Sequence, residues 1–265
     1  MGETVINSRY ELVRPLGQGA SSTVFEVRDR QHGDRLRALK LVWEGADEDL
    51  LRGEFFRLSR LDHEGLVKVH DLDRNRALVR LDGVEIHPGR LFLVADLVPG
   101  HEPLGVLEGI PEGARDRWLR GVTRDLASAL WHLHRHGLVH HDLKPDNMLV
   151  VTQKSGAQRA TLIDLGLAAR PGAGGDGARG TLAYMAPEAL AGGGDHRVDL
   201  YSLGATLFHL AQGRPPFSGR GSQLIQQILQ DQPTLQQPWL SPEMTALITR
   251  LLRKEPLQRP QSARR

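Results

Sequence analysis

The chemistry in this chain is concentrated in eight residues, His140-His141-Asp142-Leu143-Lys144-Pro145-Asp146-Asn147, which gather acids, bases, one ammonium and one carboxamide. Seventeen residues after Asn147 stands a further carboxylate, in Asp164-Leu165-Gly166. A positioned carboxylate can take a proton from a hydroxyl. Carboxylate and carboxamide oxygens are hard donors of the kind that divalent cations take. Lys144 can offset the charge of an anionic substrate. The chain has no cysteine, which excludes thiolate nucleophiles, thiolate metal sites and disulfides.

Regular elements must hold these groups. The segment 115–136 carries Leu119, Val122, Leu126, Leu130 and Leu133 on one helical face and stops at Gly137. Met148-Leu149-Val150-Val151 is apolar and strand-like. Upstream, the pattern predicts strands at 10–16, 22–28, 35–42, 66–72 and 91–98. A helix is expected over 47–61, with Leu50, Leu51, Glu54, Phe55, Leu58 and Leu61 at helical spacing. After Gly100 the texture turns helical: 198–210 is an apolar helix, and Ser241-Pro242 supplies a cap and first-turn proline for a helix through 252. A β-rich half before a helical half implies two lobes with a cleft, joined near Val98-Pro99-Gly100. The segment 77–86 predicts an extra hairpin whose purpose is not readable, and 170–180 is rich in Gly and Ala.

Gly17-Gln18-Gly19 alone fits a dinucleotide fold, a hairpin over phosphates or a plain turn. A dinucleotide site needs a helix directly after the glycines, whereas Thr23-Val24-Phe25-Glu26-Val27-Arg28 is strand-like. Its neighbours give it meaning. Ala38-Leu39-Lys40, Glu54, the run Leu93 to Gly100, the loop at 140–147, Asp164-Leu165-Gly166, the segment Gly180 to Glu188, Asp199 and Arg259 follow in order. Together they resemble the catalytic domain of eukaryotic-type (Hanks-type) serine/threonine protein kinases, from Tyr10 to Pro260.

That resemblance implies an α+β, two-lobed protein-kinase-like fold: a β-rich N-lobe over about 10–98, a helical C-lobe over about 99–265, and ATP in the cleft. It implies that Asp142 is the base that orients a substrate hydroxyl, Lys144 balances γ-phosphate charge, and Asn147 and Asp164 hold Mg²⁺, with Mn²⁺ as an alternative. Leu16, Gly17, Gln18 and Gly19 would cover the phosphates, and Lys40, paired with Glu54, would reach the α- and β-phosphates. Val24, Ala38 and Leu149 would sandwich adenine, Asp96 and Val98 would bond it, and Ala95 would guard the back of the pocket. Thr181, Glu188, Asp199 and Arg259 would dock substrate and brace the loop. His140 would be structural, stacking with Leu58, Val69 and Leu165.

The expected partner is a protein Ser/Thr hydroxyl. A net charge of +2 implies no nucleic-acid surface. The longest apolar stretch, 91–98, is broken by Asp96 and far too short to span a membrane, and the N-terminus lacks a secretory pattern, so a cytoplasmic location is expected. Two rivals stand beside this reading. A pseudokinase or docking module would usually lose the equivalents of Lys40, Asp142 or Asp164, all present here. A kinase-like small-molecule phosphotransferase would generally lack the glycine hairpin and the Ala186-Pro187-Glu188 segment. The family's usual final helix is missing after Pro260, so a regulatory region beyond residue 265 is a further expectation.

Overall fold

The computed structural model describes residues 4–18, 23–42, 48–164 and 182–264. Gly19, Leu165, Gly166, Thr181 and the segment 170–180 lie outside the described residues, as do the side chains of Gln18 and Leu50. The described residues form two compact units, one from 4–62 and 67–97, the other from 63–66, 98–164 and 182–264.

Alternating side chains build the first unit. Strands β1 (Val5–Ile6), β2 (Tyr10–Gln18), β3 (Thr23–Asp29), β4 (Arg35–Leu41), β5 (Val69–Arg74) and, after a hairpin, β8 (Leu91–Asp96) form one sheet in the order β1-β2-β3-β4-β8-β5. Each neighbouring pair is antiparallel. Phe25, Val27, Leu39, Phe92 and Val94 turn to one face and are fully buried. The other face places Val24 opposite Lys40, and Ala38 opposite Ala95. Helix α1 (Glu48–Leu58) packs on β5, with Leu51 and Leu58 buried and Glu54 half-buried between them on the same face.

The expected hairpin is present as β6 (Val79–Leu81) and β7 (Val84–Ile86). Its turn, Asp82-Gly83, has φ of 48° and 80°, the doubly left-handed geometry whose twist matches the flanking strands. Val79 and Ile86 are 1% exposed and pack with Ile6, Tyr10 and Phe92. The hairpin thus covers the apolar face of the sheet, and full burial of each of those two side chains is worth about 1.5–3 kcal/mol.

In the second unit, α2 (Pro103–Glu108) leads into α3 (Glu112–Arg135), which packs on the two-stranded sheet of β9 (Met148–Thr152) and β10 (Gln158–Leu162). Helix α3 ends as its glycine predicts. Gly137, at φ 69°, donates to His134 O, and Leu138 to Leu133 O, the paired bonds of a left-handed helix stop. After α4 (Pro187–Leu190), helix α5 (Arg197–Gln212) is buried nearly all round and contacts α3 and α7 (Pro242–Leu251), with α6 (Ser222–Gln230) between. Ser241 caps α7 by accepting from Met244 N at 3.3 Å. No helix among the described residues is long and apolar enough to cross a membrane.

The expected strand at 66–72 begins only at Val69. Leu66 and Val67 are buried, which makes them look like strand, but Leu66 N turns back to His63 O and Leu66 bridges Leu162 in the second unit. β8 stops at Asp96 rather than 98, because Gly100 N folds back onto Val98 O just beyond it.

Candidate active site

The loop between α3 and β9 is built from behind by α5. Within the buried body of that helix Asp199, Ser202 and Thr206 are fully or almost fully buried polar residues, spaced so that all three share one side. Asp199 is fully buried, and its two oxygens accept the backbone N–H groups of His140 at 2.8 Å and His141 at 2.9 Å. Thr206 Oγ1 lies 3.3 Å from Leu143 O, and Ser202 Oγ donates to Tyr184 O at 2.9 Å. One buried stripe therefore fixes both the loop and the segment before α4.

His134 completes the clasp. Its Nε2 lies 2.8 Å from Asp199 Oδ2, and because a carboxylate only accepts, Nε2 carries the proton. Burial alone would raise the Asp199 carboxyl, but bonds from His134 and the His140 backbone outweigh it and hold the carboxyl below its ordinary value. The sequence reading missed His134. The signal was a histidine four residues after Leu130, at the edge of the apolar stripe of α3.

His141 pays in backbone geometry, with φ of 64° in a non-glycine residue. Residues held in this region cost of order 1–3 kcal/mol and collect at functional sites. His140 is 2% exposed, its Nδ1 accepting from Asp142 N at 3.3 Å, so it sits in the core as a structural group.

Asp142, half-buried, is held from two sides. Its Oδ2 accepts from Lys144 Nζ at 2.9 Å and from Asn147 Nδ2 at 2.8 Å, while Oδ1 is 3.2 Å from the same ammonium. A carboxylate has about four acceptor sites. Three are engaged by described residues, which leaves one on Oδ1 for a hydroxyl donor. Asn147 Nδ2 also donates to Asp142 O at 2.7 Å. Its NH₂ side is thus committed and its carbonyl oxygen remains for a cation. Ile163 N donates to the backbone carbonyl of Asn147 at 3.0 Å, one residue before Asp164. Two hard oxygens on adjoining segments fit Mg²⁺, which binds through one or two protein donors plus phosphates and water. No group of three or more His, Asp or Glu that could cage a metal occurs among the described residues.

Glu188 and Arg259 meet as the sequence reading expected of a brace. Arg259 is 1% exposed and all five of its N–H donors are used. Nη1 reaches Glu188 Oε1 at 2.5 Å and Arg197 O at 3.1 Å, Nη2 reaches Glu188 Oε2 at 2.8 Å and Lys254 O at 2.7 Å, and Nε reaches Arg253 O at 2.7 Å.

The remaining expected residues occupy the first unit or its border. Gly17 pairs with Val24, and Gln18 with Thr23, and the described residues that come next in the chain, from Thr23, form strand β3. Leu16 is exposed, while Val24, Ala38 and Lys40 are half-buried on the sheet face away from the core. Ala95 is 8% exposed on the same face. Asp96, the last residue of β8 and paired with Arg37 of β4, donates its N–H to Lys68 O at 2.9 Å, and its side chain is taken by Arg37 and by His70 at 2.8 Å. In the second unit, Leu149 is half-buried on β9 opposite Thr161, and Val98 is half-buried.

The protein kinase domain family matches residues 10–264. The DNA damage-responsive serine/threonine-protein kinase RqkA of Deinococcus radiodurans is 37% identical over 98% of this chain and 38% of its own length. The serine/threonine-protein kinase PknJ of Mycobacterium tuberculosis is 34% identical over 96% of this chain and 43% of its length. The plant serine/threonine-protein kinase AtPK1/AtPK6 of Arabidopsis thaliana is 30% identical over 94% of this chain and 51% of its length. This chain thus spans about two-fifths to one-half of those relatives. By the family match over almost its whole length, the chain belongs to the protein kinase domain family.

Proposed function

We propose that this chain transfers the γ-phosphate of ATP to serine or threonine hydroxyls of protein substrates. The observation that carries the reading is the clasped loop: Asp142 with one open acceptor site, fixed by Lys144 and Asn147 and backed by Asp199. Asp142 accepts the hydroxyl proton as the oxygen attacks. A new bond forms between that oxygen and the γ-phosphorus, the bond to the β-phosphate oxygen breaks, and ADP leaves. Such a reaction asks the protein mainly for positioning and charge neutralisation. Lys144 offsets charge on the transferring group. Asn147 and Asp164 would hold Mg²⁺, or Mn²⁺ in its place, and the ion when bound neutralises phosphate charge. Lys40, oriented by Glu54, takes the α- and β-phosphates. Leu16, Gly17, Gln18 and Gly19 cover them, and Val24, Ala38 and Leu149 pack on adenine, with the Asp96 carbonyl and Val98 at its edge. Thr181, with the Glu188–Arg259 brace, docks substrate. A cytoplasmic location, where ATP is supplied, goes with this reading, and the names of its relatives support the Ser/Thr preference.

Asp142→Asn keeps the shape and removes the base. Turnover should fall by about 10²–10⁴-fold, with nucleotide affinity nearly unchanged, read by phosphate transfer to a protein substrate alongside nucleotide titration. Near-normal turnover in the variant would remove Asp142 from this role. Absence of transfer by the parent protein, with nucleotide binding retained, would favour a docking module.

A further inference from the structure

The end of β8 is gripped from both of its neighbouring strands. Asp96 closes β8, which lies between β4 and β5 in the sheet. On the β4 side it stands directly opposite Arg37, whose Nη1 is ion-paired with Asp96 Oδ1. Arg37 is 8% exposed and sits at a position where β4 turns Leu39 and Leu41 inward. A charge so placed demands a countercharge, and Asp96 is its one carboxylate partner among the described residues. On the β5 side the pairing with β8 shifts between Val69, opposite Ala95, and Asp71, opposite Val94. His70 is the extra residue of that bulge, a device that re-aims a side chain. Its Nε2 lies 2.8 Å from Asp96 Oδ1 and 2.8 Å from Arg37 Nη1. Burial and the neighbouring Arg37 pull the imidazole down to about 4. Near neutral pH the cluster therefore holds one cation, one anion and a neutral ring beside both. Asp96 N–H meanwhile donates to Lys68 O at 2.9 Å, so its backbone and its side chain are both tied to neighbouring segments.

We infer that Arg37 and His70 are positioning residues for the adenine end of the nucleotide: they hold Asp96, and with it the carbonyl that meets the base. The inference rests on the reading of the chain as an ATP-dependent kinase, which puts that carbonyl at the edge of adenine. Arg37 follows the alternation of Leu39, so it stands on the face of β4 opposite to Ala38, the residue read as packing on adenine. It acts through Asp96 and not by contact. A carbonyl held in place beforehand needs no ordering when the ligand arrives, and the clamp contributes to affinity in that way. Chemistry at the γ-phosphate, at the other end of ATP, does not draw on it.

Arg37→Met keeps the length of the side chain and removes its charge. The Asp96 side chain is 43% exposed, so the carboxylate left behind stays solvated. His70→Phe keeps a ring and removes its polar atoms. Each variant and the parent are titrated with ATP and with inorganic tripolyphosphate, which lacks adenine, and KM for ATP and kcat are read by phosphate transfer to a protein substrate. Both variants should bind ATP about fivefold more weakly, equivalent to about 1 kcal/mol, and should bind tripolyphosphate as the parent does. KM for ATP should rise with kcat kept within about twofold, the split expected when binding alone is lost. In Arg37→Met/Asp96→Asn the loss of ATP affinity should match that of Arg37→Met alone, because the two side chains act as a unit. Should one single variant fail to fold, the other decides. Parental ATP affinity in a folded variant, equal losses for ATP and tripolyphosphate, or a fall in kcat at constant KM would overturn the clamp alone. A parent that binds ATP no better than tripolyphosphate would overturn the adenine reading, and the clamp with it.

Discussion

Arg259 shows what a single buried charge demands. Its guanidinium uses every donor, and its one countercharge among the described residues is Glu188. Removing one member of such a pair leaves the other charge buried and uncompensated, at a cost of about 3–5 kcal/mol. Glu188→Gln should therefore lower the unfolding free energy by about 3 kcal/mol, the low end because the glutamate side chain is 20% exposed. Urea unfolding of the parent and variant checks this, and a loss below about 1 kcal/mol would show that the amide replaces the carboxylate adequately. Asp29 in the first unit gives a pH-dependent counterpart. Burial works to raise its carboxyl, but bonds from Arg9, His32 and the Gln31 amide hold it at about 2, below its ordinary 3.8. A depressed carboxyl contributes fully above its unfolded value and loses that contribution as pH falls through its folded value. Asp29→Asn should cost about 2 kcal/mol at pH 7, still nearly as much at pH 5, and clearly less at pH 3. Unfolding at those three pH values measures it, and a gap that stays constant would mean the carboxyl is not depressed.

At the scale of elements, α5 and α7 approach so closely that a side chain at Gly204 would collide. A β-carbon there would sit 2.7 Å from Leu251 Cβ and 3.2 Å from Leu252 Cγ. Gly204→Ala gains helix propensity of about 1 kcal/mol but overpacks a buried seam, which typically costs about 1–3 kcal/mol. The seam should dominate, since Leu251 and Leu252 are buried and cannot swing away. The expected result is a lower unfolding midpoint in a thermal scan, and a higher one would show that the helices part freely. Gly204 also illustrates how much the sequence disclosed. Apolar periodicity located α3 and α5, and the cap signals at Gly137 and Ser241 marked real helix ends, because those are local rules. The spacing of Asp142, Asn147 and Asp164 exposed the site because short-range order keeps them on one loop and the next strand end. Long-range contacts left no comparable trace. The stripe of Asp199, Ser202 and Thr206 acts only once α5 is buried, and His134 matters only because α3, which carries it, packs beside α5. The hairpin at 79–86 was legible, but its purpose was not, since covering a distant sheet face is a tertiary fact. Helices α2 and α6 were missed because each is short and its apolar spacing too brief to stand out.

For the chain as a whole, the open question is how the site would be switched. In many kinases a phosphate on the loop after the metal-binding aspartate pairs with an arginine just before the catalytic one, and the pairing orders the loop. Here that position is His141, which lacks the planar five-donor fork that grips phosphate. Its backbone is already committed, with φ of 64° and its N–H on Asp199 at 2.9 Å, and its imidazole makes no hydrogen bond among the described residues. The loop sequence agrees, since 165–180 contains no Ser, Thr or Tyr and the first hydroxyl is Thr181. Neither half of the phosphate switch is therefore in place, whereas the loop at 140–147 is braced from behind by the buried Asp199 and Thr206, with His134 on Asp199. Activity should not depend on phosphorylation within 165–180, and control should come from ligands, partner segments or attached domains. Initial rates of phosphatase-treated protein and of protein preincubated with ATP should agree within about twofold, a difference of about 0.4 kcal/mol in barrier, while mass mapping records which hydroxyls are modified. A large activation that follows a phosphate on Thr181 would show that the chain carries a phosphate switch just past its hydroxyl-free loop, and His141→Arg would then be expected to strengthen it.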